Sequence, residues 1–452
     1  MTELLSISSI AYWKRINRNM DVLIEKSIIR GKVDAPPSKS MTLRALVCAS
    51  LASGQTYLRL PSFSEDTVLM VKLLSECGTR IKPVKYGYQI EGACFKDPGA
   101  ELFCGDSAAV FRFMVALATC IPGETRIVAG EKLAKRPIAP LVETLCELGV
   151  KCRVEGSTVV VDGNGYDGGD VTVPGDLSSQ FISALMMVGP CFKHGINIRF
   201  STPLKSRAYI DMTSECMKDF SVRTKIPQTY LNVSVSNQPY HETTYTPEGD
   251  WSFATSLLAL GVITSARQLI STSTGNMSGN ILITGLNAES KQADRGILNM
   301  IQKMGGSFTM RQSSVLIAAS RLFSLNASFT DCVTLFPIMA VMSSMVNGQQ
   351  SSLRGLAQER RKFNNDIDNT ITELVNLGIR CIDEGDSLQI MGGPINKYEA
   401  DTHGSQRLGM ALIILGACTG RLKIRNCDCV ASVYPNIWDV LRSVGVNFRI
   451  IE

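Results

Sequence analysis

Pro36-Pro37-Ser38-Lys39-Ser40, followed by Arg44, sets two small hydroxyls and two cations before an apolar run, Ala45 to Ala52, that stops at Ser53-Gly54. A helix starting there aims free backbone N–H groups, hydroxyls and positive charge at one point, which is chemistry for holding phosphate or carboxylate. The same residues also suit an ordinary capped helix with solvated cations. Gly175-Asp-Leu-Ser178-Ser179-Gln180 repeats the theme before a second apolar stretch. A cap and a ligand contact are compatible there, and a buried Gln180 needs a partner that a polyhydroxylated ligand would supply. Only three histidines exist, His194, His241 and His403. Lys, Arg, Asp and Glu must therefore carry any chemistry, with little scope for a histidine base or metal site.

At 452 residues the chain exceeds the size at which one core keeps growing, so two domains are expected. A net charge of +5 without a long basic run fits small acidic ligands better than nucleic acid. The fourteen cysteines are scattered through apolar segments, and Cys427-Asp-Cys429 lacks a second pair for zinc, so reduced thiols are expected. The first 22 residues hold Lys14, Arg15 and Arg18 but no uninterrupted apolar core. Neither a signal peptide nor a membrane span is expected, and the location expected is cytoplasmic.

The elements that must position these residues recur. Six times a helix-like stretch stops at a small residue and gives a strand, a turn and a strand: at Gly78, Gly149, Phe220-Ser221, Gly305, Gly378 and Gly445. A left-handed residue ends a helix cheaply at such a point. An apolar helix, a small polar turn and a strand also recur, as in LVCASLASGQTYLRL and MALIILGACTGRLKIRN. Together they predict an α/β (α+β) chain of six β-α-β-α-β-β units, three per lobe, sheets outside and helices inside. The Pro36-Pro37 breaker and Thr244–Asp250 mark two crossings, giving lobes 37–246 and 1–36 plus 247–452.

With the repeat and these motifs in hand, the chain resembles the 5-enolpyruvylshikimate-3-phosphate synthase family from about residue 25 to its end. That resemblance implies a two-lobed fold and transfer of the carboxyvinyl group of phosphoenolpyruvate to shikimate 3-phosphate, without metal or organic cofactor. PPSKSMTLRAL would place Lys39, Ser40 and Arg44 on shikimate 3-phosphate, with Lys39 also reaching phosphoenolpyruvate. SEDTVLM resembles the family's Ser-Asp-Asp segment. GEKLAKRPI would put Arg136 on phosphoenolpyruvate, and PGDLSSQFISALMM would make Ser178, Ser179 and Gln180 ligands. LKSRAYID would add Ser206 and Tyr209, and Gln180 would also serve phosphoenolpyruvate.

The second half departs from the family pattern. Thr334 stands at the place of an aspartate that contacts the target hydroxyl. The family's Lys-Glu-x-x-Arg becomes Lys362-Phe363-Asn-Asn-Asp366, which keeps a substrate-binding lysine but loses the proton-transfer Glu and the phosphoenolpyruvate Arg. Asn-Asp-His-Arg becomes Gly404-Ser405-Gln406-Arg407, leaving Arg407 for phosphoenolpyruvate, and the last lysine of the site is Ser432. Ala108 replaces a glycine that leaves room for phosphoenolpyruvate. Arg to Asp and Lys to Ser change the local charge by −3, at roughly 1.5–3 kcal/mol per charged contact. Asp331, Glu359 and Asp366, with Arg360 and Arg361, are the neighbouring groups that could replace what is missing.

Three readings follow: a divergent working carboxyvinyltransferase, a homologue that only binds shikimate 3-phosphate or a similar sugar-like phosphate, and the sister transfer to a UDP-sugar. The third needs a reactive cysteine that Glu131–Lys135 lacks. The partners expected are small anionic substrates, and the protein is expected to be a monomer.

Overall fold

The computed structural model describes residues 20–176, 178–271, 281–318, 320–357, 360 and 365–451, with backbone alone at 267–271. Two compact units divide them, Pro37–Glu248 and the chain on either side of it. The second crossing thus lies between Glu248 and Gly249, two residues beyond the boundary read from sequence.

Each unit carries three four-stranded sheets. In one, Leu102–Phe103 runs parallel to Glu124–Val128, which pairs antiparallel with Thr158–Asp162, which in turn pairs with Cys152–Glu155. The helices Ala108–Leu117 and Ala139–Glu147 fill the two crossovers, giving the β-α-β-α-β-β order. A parallel pair needs such a crossover, whereas the last two strands need only a turn.

Three strands depart from simple repetition. Gly31–Asp34 precedes the helix Lys39–Leu51 in the chain, yet belongs with residues 249–452 and runs parallel to Ile281–Thr284 there. Reciprocally, Thr244–Tyr245 precedes the helix Trp251–Ser271 but lies parallel to Gln55–Arg59. Asp21–Glu25 inserts between Leu422–Arg425 and Asn447–Ile451, antiparallel to both, and completes the sixth sheet.

Burial separates two kinds of helix. Met41–Ser50 is buried on every face, as are Val110–Leu117 and Leu408–Cys418, which marks core helices. Asp366–Asn376 instead buries Ile367, Thr370, Glu373 and Leu374, a stripe at helical spacing. Strands such as Gln55–Arg59 alternate buried and exposed, so each sheet covers apolar helices and turns its other face to water. Each unit has its own apolar core.

All six helix stops take a left-handed residue: Gly78, Gly149, Gly305, Gly378 and Gly445, with φ between +80° and +101°, and Ser221 at +68°. Ser221 carries a Cβ there, a strain of about 1 kcal/mol that the third repeat tolerates. No helix among the described residues is long and apolar enough to cross a membrane.

Candidate functional site

In the unit Pro37–Glu248, polar groups gather at helix starts. Ser38 caps Lys39–Leu51 by accepting from the Met41 N–H at 3.4 Å, and its own N–H donates to the Glu248 carbonyl at 2.8 Å. That fixes Lys39 at the first helical position, where its Nζ lies 2.9 Å from Asp66 Oδ2. Asp66 comes from the first turn of Glu65–Glu76, capped by Ser64, so the SED segment meets Lys39 in space. Ser40 is half-buried, and its carbonyl accepts from Arg44 at 2.9 Å.

Arg44 points into the protein and is only 3% exposed. Its Nε donates to Thr213 at 2.8 Å, and its other nitrogens reach the Ser40 carbonyl, Ser183 Oγ and the Tyr209 carbonyl. Four of about five guanidinium N–H groups are thus committed to the chain. Burial pulls its pKa down. Arg44 joins the helices Lys39–Leu51, Ser179–Val188 and Arg207–Asp219, so its main visible work is to hold three helix starts together.

Ser178 caps Ser179–Val188, and its Oγ accepts from both the Gln180 N–H and Arg112 Nη1, the latter at 3.0 Å. Arg112 Nη1 also donates to Gln180 Oε1, and the guanidinium lies 4.7 Å from the Phe181 ring centre. Burial, and then the charge of Arg136, pull the Arg112 guanidinium down to about 9. Arg136 buries an Nε that finds no partner among the described residues. Its loop is held by Asp106, whose Oδ1 accepts the Lys132 and Leu133 N–H groups at 3.1 Å each. Gly130 lies so close to Gly105 that a Cβ would come within 2.7 Å of its backbone. Two neighbouring cations and an orphaned donor form a place that favours an anion.

Ser179 is the first residue of its helix, and Ser206 sits in a left-handed turn (φ +54°) just before Arg207–Asp219. Tyr209 is the third residue of that helix and is half-buried. Ala108 opens Ala108–Leu117 behind its cap, Ser107. Lys39, Ser178, Ser179, Ser206 and Ala108 are therefore all at helix starts of one unit.

The other unit arranges its polar residues differently. Thr334 Oγ1 donates to Asp294 Oδ1 at 2.6 Å, and Ser252 Oγ donates to Asp294 Oδ2 at 2.5 Å. Cys332 Sγ lies 3.2 Å from Thr334 Oγ1; burial, then Asp294, keep that thiol protonated. Arg407 Nη1 donates to Asp366 Oδ2 at 3.2 Å. Ser432 is exposed and turns its hydroxyl to the Cys429 carbonyl at 2.7 Å. Arg360, one of the candidate replacement cations, pairs with Asp383 at 2.9 Å and lies 3.3 Å from Asp368, so two local carboxylates hold it. Asp331 is exposed. Lys362, Phe363, Glu359 and Arg361 lie outside the described residues.

Two residues escaped the sequence reading. Arg112 lies four residues after Ala108, and that spacing was the available signal. Asp294 had none, being 40 residues from Thr334.

Comparison with known proteins agrees with this fold. The sequence profile of EPSP synthase (3-phosphoshikimate 1-carboxyvinyltransferase) matches residues 24–441. The 3-phosphoshikimate 1-carboxyvinyltransferase of Dehalococcoides mccartyi is 35% identical over 428 residues, covering 94% of this chain and 98% of that one. The protein of the same name from Methanocaldococcus jannaschii is 31% identical over 444 residues, covering 95% and 100%. The solved EPSP synthase of Acinetobacter baumannii shares the fold with a TM-score of 0.80 at 18% identity, covering 96% and 100%. The profile match over nearly the whole chain and the 35% identity to a full-length relative place this chain in the EPSP synthase family.

Proposed function

We propose that this protein binds shikimate 3-phosphate and transfers to it, slowly, the carboxyvinyl group of phosphoenolpyruvate. The observation that carries this reading is the Arg112 guanidinium, which joins Ser178 and Gln180 beside the orphaned Arg136 Nε. Lys39, Ser40, Ser178, Ser179, Gln180, Ser206 and Tyr209 would contact shikimate 3-phosphate, with Arg44 bracing their helices. Lys362 would add a cation. Lys39, Arg136, Gln180 and Arg407 would serve phosphoenolpyruvate. No metal or organic cofactor enters this reading. The protein would act as a cytoplasmic monomer with reduced thiols, in keeping with cysteines that are free among the described residues.

The transfer is slow in this reading because the cations and carboxylates of the second unit are diverted. Arg407 is paired with Asp366, and Ser432 supplies no charge. Loss of one positioned acid or base costs about 10²–10⁴-fold in rate. The Asp366–Arg407 pair also favours the second reading, a homologue that binds shikimate 3-phosphate without turnover.

Calorimetric titration with each substrate, then a phosphate-release assay with both, tests the proposal. Tight binding of shikimate 3-phosphate, weak binding of phosphoenolpyruvate and slow phosphate release are expected. Release at zero rate would leave the binding-only reading, and no binding of shikimate 3-phosphate would sink both.

A further inference from the structure

The helix Ala139–Glu147 stops before Gly149, and the strand Cys152–Glu155 follows. Across that stop Cys146 Sγ and Cys152 Sγ lie 3.4 Å apart. Cys146 is exposed and Cys152 half-buried. Each thiol has one proton, and a backbone carbonyl stands ready for it. The Cys146 thiol reaches the Cys152 carbonyl at 3.4 Å, and the Cys152 thiol reaches the Val142 carbonyl at 3.5 Å. Both protons thus have places away from the contact between the sulfurs.

The contact is built into the repeat. A chain that leaves a helix through a left-handed residue and enters a strand brings the third residue before the stop to the third after it. In the sixth repeat those positions are Arg442 and Phe448, and the guanidinium lies 4.9 Å from the ring centre. In the fifth they are Val375 and Cys381, and only the second repeat has cysteine at both. A disulfide holds its sulfurs about 2.0 Å apart, so about 1.4 Å remains to close. Gly149 has a φ of +85°, and among the described residues nothing beyond its chain neighbours comes within 4 Å of where a Cβ would stand. The turn has room to give that distance.

We propose that Cys146 and Cys152 form a reversible oxidation site, which hydrogen peroxide closes to a disulfide that staples the helix end to the strand. The exposed Cys146 meets the peroxide. Its sulfur bonds one peroxide oxygen as the O–O bond breaks and water leaves, giving a sulfenic acid. The Cys152 sulfur then attacks the Cys146 sulfur. The S–S bond forms, the S–O bond breaks, and a second water leaves with the Cys152 proton. Two thiols and one peroxide become one disulfide and two waters. Burial, and then Cys146, push the Cys152 thiol up, which keeps it protonated and leaves the first attack to Cys146. A dithiol reductant reopens the bridge by exchange and is itself oxidised to a cyclic disulfide.

The test treats the reduced full-length protein with hydrogen peroxide, blocks the remaining thiols with N-ethylmaleimide and maps tryptic peptides by mass spectrometry. Cleavage after Lys151 separates the two cysteines, so their bridge joins two peptides that dithiothreitol parts again. The oxidised protein should also melt several degrees higher than the reduced one, because the bridge restricts the unfolded chain. Cys146→Ser should abolish both the bridge and the rise. Cys152→Ser should stop at the sulfenic acid of Cys146, which dimedone traps. A bridge confined to Cys120 and Cys191, whose thiols are also in contact, overturns the proposal. So does a Cys146–Cys152 bridge that leaves the melting temperature unchanged.

Discussion

Arg407 donates to Asp366 across 3.2 Å, with the arginine side chain 44% exposed and the aspartate 18%. The pairing joins the first turns of two helices, Gln406–Thr419 and Asp366–Asn376. Asp366 also sits where a helix N-terminus favours negative charge. The cation that an anionic substrate would seek is thereby partly neutralised before any ligand arrives.

Asp366→Asn should release it. The pair is partly exposed, so its own worth is about 0–1 kcal/mol, and removing the carboxylate also removes its repulsion of the ligand. Phosphoenolpyruvate should bind about three- to tenfold more tightly by calorimetry. Loss of helix-terminus stabilisation should cost about 0.3–1 kcal/mol in urea unfolding. Unchanged affinity would show that Arg407 does not meet this ligand.

Arg112 should matter for binding although it was not read from the motifs. Arg112→Lys replaces the planar guanidinium, whose single Nη1 donates to both Ser178 and Gln180, by an ammonium on a differently shaped stem. Shikimate 3-phosphate affinity should fall at least tenfold, equivalent to about 1.5–3 kcal/mol for a charged hydrogen bond. In the wild type, an anion relieves the repulsion between Arg112 and Arg136, so the ligand should raise the melting temperature. The lysine variant should show a smaller rise.

Arg44→Met tests bracing rather than chemistry. It would leave Thr213, Ser183 and two carbonyls short of a donor inside the helix cluster. A loss of about 3 kcal/mol in chemical unfolding is expected. A fully stable variant that merely loses shikimate 3-phosphate would assign Arg44 to the ligand instead.

Asp401 gives a pH dependence with a definite sign. Burial pushes its carboxyl up, but the Asn426 amide, at 2.9 and 3.0 Å, the His403 N–H and the nearby charges outweigh that and hold it below the usual range. A depressed carboxyl contributes stability above its unfolded value, about 3.9, and loses it as pH falls through the folded value. The urea midpoint should therefore fall steeply below about pH 4. Asp401→Asn should flatten that slope while lowering the midpoint at pH 7.

The sequence by itself determined the six-fold repeat, because a helix stop needs a left-handed residue and five glycines mark one each time. Even the exception at Phe220-Ser221 keeps the geometry, with Ser221 taking the strained angle. It determined the helix starts too, since Ser38 and Ser178 cap through bonds to residues two or three positions away. Such local bonds are written in spacing. Only the tertiary structure decided partners far apart in the chain. It turned Arg44 inward to Thr213, set Asp366 against Arg407, held Arg360 with Asp383, and placed Asp294 behind Thr334. The pairings of Gly31–Asp34 with Ile281–Thr284 and of Thr244–Tyr245 with Gln55–Arg59 belong to the same class. A hydroxyl or guanidinium binds whichever group the packed helices bring within about 3 Å, and no local rule names that group in advance.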